Sequence, residues 1–272
     1  MRANLWPKKL RFSVGGVDMF VSCTTLCMGR QSLAKVFEKF LELDFNRYEL
    51  AVFEGSLHVK PSEVLEDPAQ VAARMKSAHG LNCGALYYMQ KTADLEKEKT
   101  NIKAMARLAR ISQVPLVTIL GNPKSLGRDK EVNRLREFVY FGAAEGVQVS
   151  LATHVDTWAD TPSNAVKLCE DVPGLSLTLD PSHLCEFDLA SKEMEEMLAK
   201  VVHTHLRDSA KGVHPFQVKV GRGIIEHAKL IHVLEKQGYN RLLSIDLHEI
   251  PDSGFPVIPE VRKLKYLLES SI

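Results

Sequence analysis

Short, almost continuously apolar runs alternate along this chain with longer stretches in which apolar residues recur every three or four positions. The first pattern is that of strands buried on both faces, the second that of amphipathic helices. The runs predict strands over 18–24, 49–54, 83–88, 116–120, 147–153, 175–180, 201–206 and 242–247. The intervening stretches predict helices over 32–43, 68–79, 94–112, 129–145, 161–170, 191–200, 226–237 and 259–270. Strand and helix taking turns eight times is the pattern of an α/β protein folded as a single (β/α)8 TIM barrel.

Local chemistry agrees with these boundaries. Thr161-Pro162 supplies a cap and a first-turn proline, and Gly146 and Gly238 stand where helices end. A doubly wound open sheet is the structural alternative, but its usual Gly-rich first turn is absent. No Gly/Ser linker divides the chain, so residues 1–272 are expected to form one domain.

Composition narrows the picture. With 45% hydrophobic and 25% charged residues, the chain can bury a large core, which excludes disorder and coiled coil. Its 35 basic and 34 acidic residues balance, so nothing points to a nucleic-acid surface. Five cysteines (Cys23, Cys27, Cys83, Cys169, Cys185) form no CxxC pair, and an odd number argues against a disulfide framework. The first nine residues are basic without the apolar core of a signal peptide, and no run is long enough to span a bilayer. A soluble, cytoplasmic protein is expected.

Strand parity then selects candidate chemistry. Residues two apart share a face. In the fifth strand Val149, Leu151 and Thr153 oppose Ser150, Ala152 and His154; in the sixth, Leu175, Leu177 and Leu179 oppose Ser176, Thr178 and Asp180. The eighth sets Leu243, Ile245 and Leu247 against Ser244, Asp246 and His248, and His203 and His205 share a face of the seventh. Apolar faces meet the helices, so the polar faces look into the barrel. His154, Asp180, His205 and Asp246 are thereby placed at the C-terminal ends of four consecutive strands, where barrel active sites are built. Two carboxylates and two imidazoles converging on one mouth need a cation to neutralise them. A mixed N/O set suits Mn²⁺ or Zn²⁺, with Co²⁺ or Mg²⁺ as alternatives.

The runs Leu177-Thr-Leu-Asp-Pro-Ser-His183, Val202-His-Thr-His-Leu-Arg-Asp208, Val220-Gly-Arg-Gly223 and Leu243-Ser-Ile-Asp-Leu-His-Glu249 resemble those of the xylose-isomerase-like TIM-barrel superfamily. That group holds sugar isomerases, ketose 3-epimerases, inosose dehydratases and endonuclease IV-type enzymes. The resemblance implies one divalent metal held by a Glu, an Asp, a His and a Glu at the ends of strands five to eight. Asp180 matches the Asp and His205 the His; Asp246 stands for the last Glu, one methylene shorter. Where the family reads Glu-x-His, this chain reads Ala152-Thr153-His154. His154 is the candidate to replace the missing carboxylate, as ligand or as base. His183 matches the family's contact to a substrate hydroxyl.

The function implied is a metal-dependent isomerase or epimerase of a small sugar, polyol or related hydroxy-carbonyl compound, with Asp246 and His154 as its catalytic groups. It would need no organic cofactor and no membrane or nucleic-acid partner; self-association stays open. Further candidate substrate contacts are Arg207, Lys219 and Glu54. Lys124, Arg128, Lys211 and Arg222 are other basic residues of expected mouth loops, and Gly221-Arg222-Gly223 could offer amides to an anion. Ala152 leaves a second reading open, a sugar-binding barrel with a weakened metal site and altered or no chemistry. An endonuclease IV-like nuclease, with His58 as an extra ligand, is a third.

Overall fold

Eight parallel strands close on themselves in sequence order, with the eighth pairing back to the first. The computed structural model describes residues 19–89, 94–212, 216–250 and 254–272. The basic N-terminal stretch and Asp18, expected to open the first strand, lie outside them. The strands are β1 (Phe20–Thr24), β2 (Arg47–Val52), β3 (Asn82–Tyr88), β4 (Leu116–Ile119), β5 (Gln148–Ala152), β6 (Ser176–Leu179), β7 (Val201–Leu206) and β8 (Leu242–Ile245). Around them run α1 (Leu33–Glu42), α2 (Pro61–Glu66), α3 (Pro68–Lys76), α4 (Leu95–Ser112), α5 (Arg128–Ala144), α6 (Pro162–Asp171), α7 (Lys192–Leu198), α8 (His227–Lys236) and α9 (Val257–Glu269). The expected barrel is the observed one.

Boundaries moved where a side chain intervenes. The expected helix over 68–79 is preceded by the extra short helix α2. Asp67 ends α2 and caps α3, accepting from the Ala69 and Gln70 amides at 3.0 and 2.9 Å. β6 stops at Leu179 because the Asp180 side chain caps a 3-10 turn over Pro181–His183. At the N-terminus of α6, Thr161 Oγ1 accepts from the Asn164 amide at 3.1 Å, as the Thr-Pro pair predicts.

The parity reading holds inside the barrel. Thr118 of β4, Ser150 of β5 and Thr178 of β6 form a closed triangle of hydroxyl hydrogen bonds at 2.7–3.1 Å across its interior. The alternating Val117, Val149, Leu151 and Leu177 join the apolar layer between strands and helices. All five cysteines are free. Among the described residues no helix is long and apolar enough to cross a membrane.

α5 lies close on β5 because Gly142 has no side chain. A Cβ there would come within 2.6 Å of Val149 Cγ2 and 2.8 Å of the Val147 carbonyl. Gly142→Ala is therefore expected to destabilise the protein by about 1–3 kcal/mol despite alanine's better helix propensity, measured by denaturant unfolding.

Candidate active site

Asp180, His205 and Asp246 meet at the C-terminal ends of β6, β7 and β8, around Arg207, which was expected to contact substrate. Arg207 follows β7 on the same face as His203 and His205, and its guanidinium lies between the two carboxylates. Nη2 donates to Asp180 Oδ2 at 2.5 Å and Nη1 to Asp246 Oδ2 at 3.0 Å. Nε donates to Ser182 Oγ at 3.0 Å, and Nη1 reaches the Asp246 carbonyl at 3.2 Å. His183 Nε2 sits 3.2 Å from Nη2, so it is an acceptor and its proton resides on Nδ1. The cation that the carboxylates demand is present in the chain itself.

Each carboxylate is also fixed by its own strand end. Asp180 Oδ1 accepts from the Ser182 amide and hydroxyl at 3.0 and 2.6 Å, and the Asp180 amide donates to Thr153 Oγ1 at 2.8 Å. Burial alone would raise the Asp180 carboxyl, but Arg207 and then His183 hold it down at about 2. Asp246 is likewise held below the usual range against its burial, by His248 first and then His205 and Arg207. His248 Nε2 lies 3.2 Å from Asp246 Oδ2, whereas Oδ1 is buried without a hydrogen-bond partner.

Beneath this level lies a group that sequence reasoning passed over. Glu49 of β2 is fully buried; its Oε1 stands 3.0 Å from His205 Nε2 and 3.1 Å from His203 Nε2, and its Oε2 accepts from Ser244 Oγ at 2.8 Å. The signal was there: one acid interrupts the run Tyr48-Glu49-Leu50-Ala51-Val52, on the inward parity. Burial would raise the Glu49 carboxyl, but His205 and His203 hold it well below the carboxylate range. Burial would lower His205, but Glu49 and then Asp246 push it up to about 9. His205 Nδ1 lies 3.9 Å from Asp246 Oδ2 without a hydrogen bond, and the Tyr87 ring packs 4.4 Å from the imidazole. Ligand atoms of Glu49, His203 and His205 all fall within 4.8 Å of one another, a spacing that can hold a metal ion.

The four donors that the family resemblance implies are not all available. Ala152 has no ligand atom and packs with Leu26, Ala51, Tyr87 and Leu120 in an apolar patch. Both Asp180 oxygens are engaged, and His205 is driven toward its protonated form. Asp246 Oδ1 and His205 Nδ1 alone of the set lack partners. As arranged, these residues do not fit a family-type divalent ion.

The remaining candidates scatter. His154 is half-buried; its ring stacks on His183 at 4.0 Å between centroids, and Nδ1 lies 2.6 Å from the Val155 carbonyl. Phe216 covers the other neighbour position of His183 at 4.5 Å. Burial, ahead of all else, lowers His183 to about 4, so its imidazole is neutral at pH 7. Glu54 accepts from the Ser62 amide and hydroxyl at 3.0 and 2.9 Å, which ties it to the start of α2. Lys219 is exposed. Lys124 pairs with Asp160, Arg128 with Asp171, and Lys211 with Glu186. His58 is buried, with Nε2 3.1 Å from the Gln31 carbonyl. The amides of Gly221 and Gly223 do bind an anion, but an internal one, donating to Asp208 Oδ2 at 2.7 and 3.0 Å. A Cβ on Gly223 would fall 2.0 Å from Asp208 Oδ1, so only glycine fits.

The closed parallel barrel carries its charged cluster at the strand C-termini, the face on which TIM-barrel sites are built. The chain belongs to the xylose isomerase-like TIM barrels, whose family profile matches residues 37–266. It is 22% identical over 257 residues to an uncharacterised protein, MJ1311, of Methanocaldococcus jannaschii, covering 87% of this chain and 86% of that one. A xylose isomerase-like barrel of Mycobacterium smegmatis, solved in complex with magnesium, superposes with a TM-score of 0.71 at 18% identity, covering 93% of this chain and 97% of that one. A D-allulose 3-epimerase of Methylomonas, solved with D-allulose, superposes with a TM-score of 0.72 at 13% identity, covering 94% and 98%. At these identities the likeness is one of fold.

The raised His205 value carries a pH dependence. Its folded value of about 9 exceeds the ordinary 6.5. The stability it contributes is therefore complete below about pH 6.5 and lost as pH rises through 9. The melting temperature should fall between pH 6.5 and 9.5, and this slope should flatten in His205→Asn, as thermal unfolding across that range will read.

Proposed function

We propose that the chain is an isomerase or epimerase of a small sugar, polyol or related hydroxy-carbonyl compound, moving a proton at the carbon next to a carbonyl. The observation that carries this reading is the interlocked set Asp180, His183, Arg207 and Asp246, which leaves Asp246 Oδ1 and His183 Nδ1 buried and unpartnered. One is an acceptor and the other a donor, the complement of neighbouring substrate oxygens. The apolar patch of Leu26, Ala51, Tyr87, Leu120 and Ala152 suits the C–H face of such a molecule.

In this reading His183 Nδ1–H donates to the carbonyl oxygen and Asp246 Oδ1 accepts from the adjacent hydroxyl. His154, stacked on His183, takes the proton from carbon. The electron pair moves onto the carbonyl oxygen, where the fixed charge of Arg207 stabilises the enediolate. Return of the proton from His154 to the neighbouring carbon, while Asp246 Oδ1 takes the hydroxyl proton and passes it to the former carbonyl oxygen, isomerises the compound. A proton delivered from water on the opposite face, with His154 giving its own proton to solvent, epimerises it.

A metal-dependent form of the same reaction draws on one observation, the N,N,O spacing of Glu49, His203 and His205, a donor set for Zn²⁺ or Mn²⁺. A binding-only barrel draws on Ala152. Incubation with a panel of unphosphorylated ketoses and aldoses in D₂O, followed by proton NMR, separates catalysis from binding. At least one compound should exchange its C–H beside the carbonyl, at a rate reduced about 100-fold or more in His154→Ala. Calorimetric binding of a panel member without any exchange would favour the binding-only reading.

A further inference from the structure

We propose that Arg207 has taken the place of the divalent ion, making the mouth of this barrel a guanidinium-centred site that needs no metal. Three independent observations carry it. The first is the donor count. A guanidinium has five N–H groups, and here each has a protein acceptor: Ser182 Oγ for Nε, the Asp246 carbonyl and Oδ2 for Nη1, and Asp180 Oδ2 and His183 Nε2 for Nη2. An arginine reaching for substrate keeps donors open. This one is coordinated by the protein as an ion would be.

The second observation is what surrounds the lost carboxylate. Ala152 is 2% exposed and packs with Leu26, Ala51, Tyr87 and Leu120, so the position that the family resemblance gives to a Glu offers no ligand atom here. The third is charge. Asp180 and Asp246 are 4% and 1% exposed, and Arg207 is 4% exposed. A divalent ion added between them would meet a positive charge that its own ligands already hold, in a medium where such repulsion is poorly screened. The two cations exclude each other from one position.

This inference stands apart from the isomerase reading, because it is tested on metal binding without substrate. The test starts from protein purified without added metal salts. Elemental analysis should find no metal that depends on Asp180: either none at all, or an ion that His203→Ala abolishes and Asp180→Asn retains, which would locate it at Glu49, His203 and His205. EDTA should leave the melting temperature unchanged in the first case. Arg207→Ala should melt lower than wild type and recover part of the loss in 1 mM Mn²⁺ or Zn²⁺, whereas wild type should gain nothing from them at the mouth. The double variant Arg207→Ala, Ala152→Glu should bind Mn²⁺ at least tenfold more tightly than wild type by calorimetry. About one equivalent of metal in wild type that disappears in Asp180→Asn but persists in His203→Ala would overturn the proposal. Should the Arg207 variants fail to fold, the metal content of wild type, Asp180→Asn and His203→Ala decides alone.

Discussion

The charge balance at the barrel mouth is the constraint from which the rest of the site follows. Two carboxylates at the ends of β6 and β8, on either side of β7, are withdrawn almost completely from water, a state that costs several kcal/mol per ion unless each is paired and hydrogen-bonded. Arg207 meets that demand because β7 delivers it on the inward parity, one pleat above His205. Its planar fork spans Asp180 and Asp246 together, a geometry that a lysine point charge could not reproduce. Ser182 and His183 then hold the fork from the side, and the 3-10 turn that carries them is itself capped by Asp180.

The same logic continues down the barrel. Glu49 is stable in the interior because His203, His205 and Ser244 surround it, and His205 links that level to Asp246 above. On the opposite side, hydroxyls satisfy one another in the Thr118–Ser150–Thr178 triangle. The mouth is thereby divided. One half, from β6 to β8, is charged and hydrogen-bonded; the other, from β1 to β5, ends in an apolar patch. A small polyhydroxylated molecule, the substrate class proposed above, has both kinds of surface, hydroxyl edges and C–H faces.

Loop chemistry separates structural anions from functional ones. The Gly-x-Gly turn after β7 has the amides of an anion site, yet Asp208 fills it and so fixes the segment that leads into α8. Of the basic residues in the mouth loops, Lys124, Arg128 and Lys211 pair with Asp160, Asp171 and Glu186.

The alternation of apolar and polar positions was enough to locate eight strands and to say which side chains look inward, because a strand's faces repeat every second residue whatever lies around it. Asp180, His205 and Asp246 were legible for that reason, as was the absence of a carboxylate at Ala152. Three things were decided only by tertiary structure. Glu49 joined His203 and His205 because barrel closure brings β2 across from β7, a contact between residues 154 and 156 positions apart. Asp208 claimed the Gly221 and Gly223 amides through a loop that folds back on its own strand end. Arg207, a single basic residue in sequence, became the central cation because closure set Asp180 and Asp246 on either side of it. Parity tells which way a side chain points; only the closed barrel, through distance and exclusion of water, decides what it meets there.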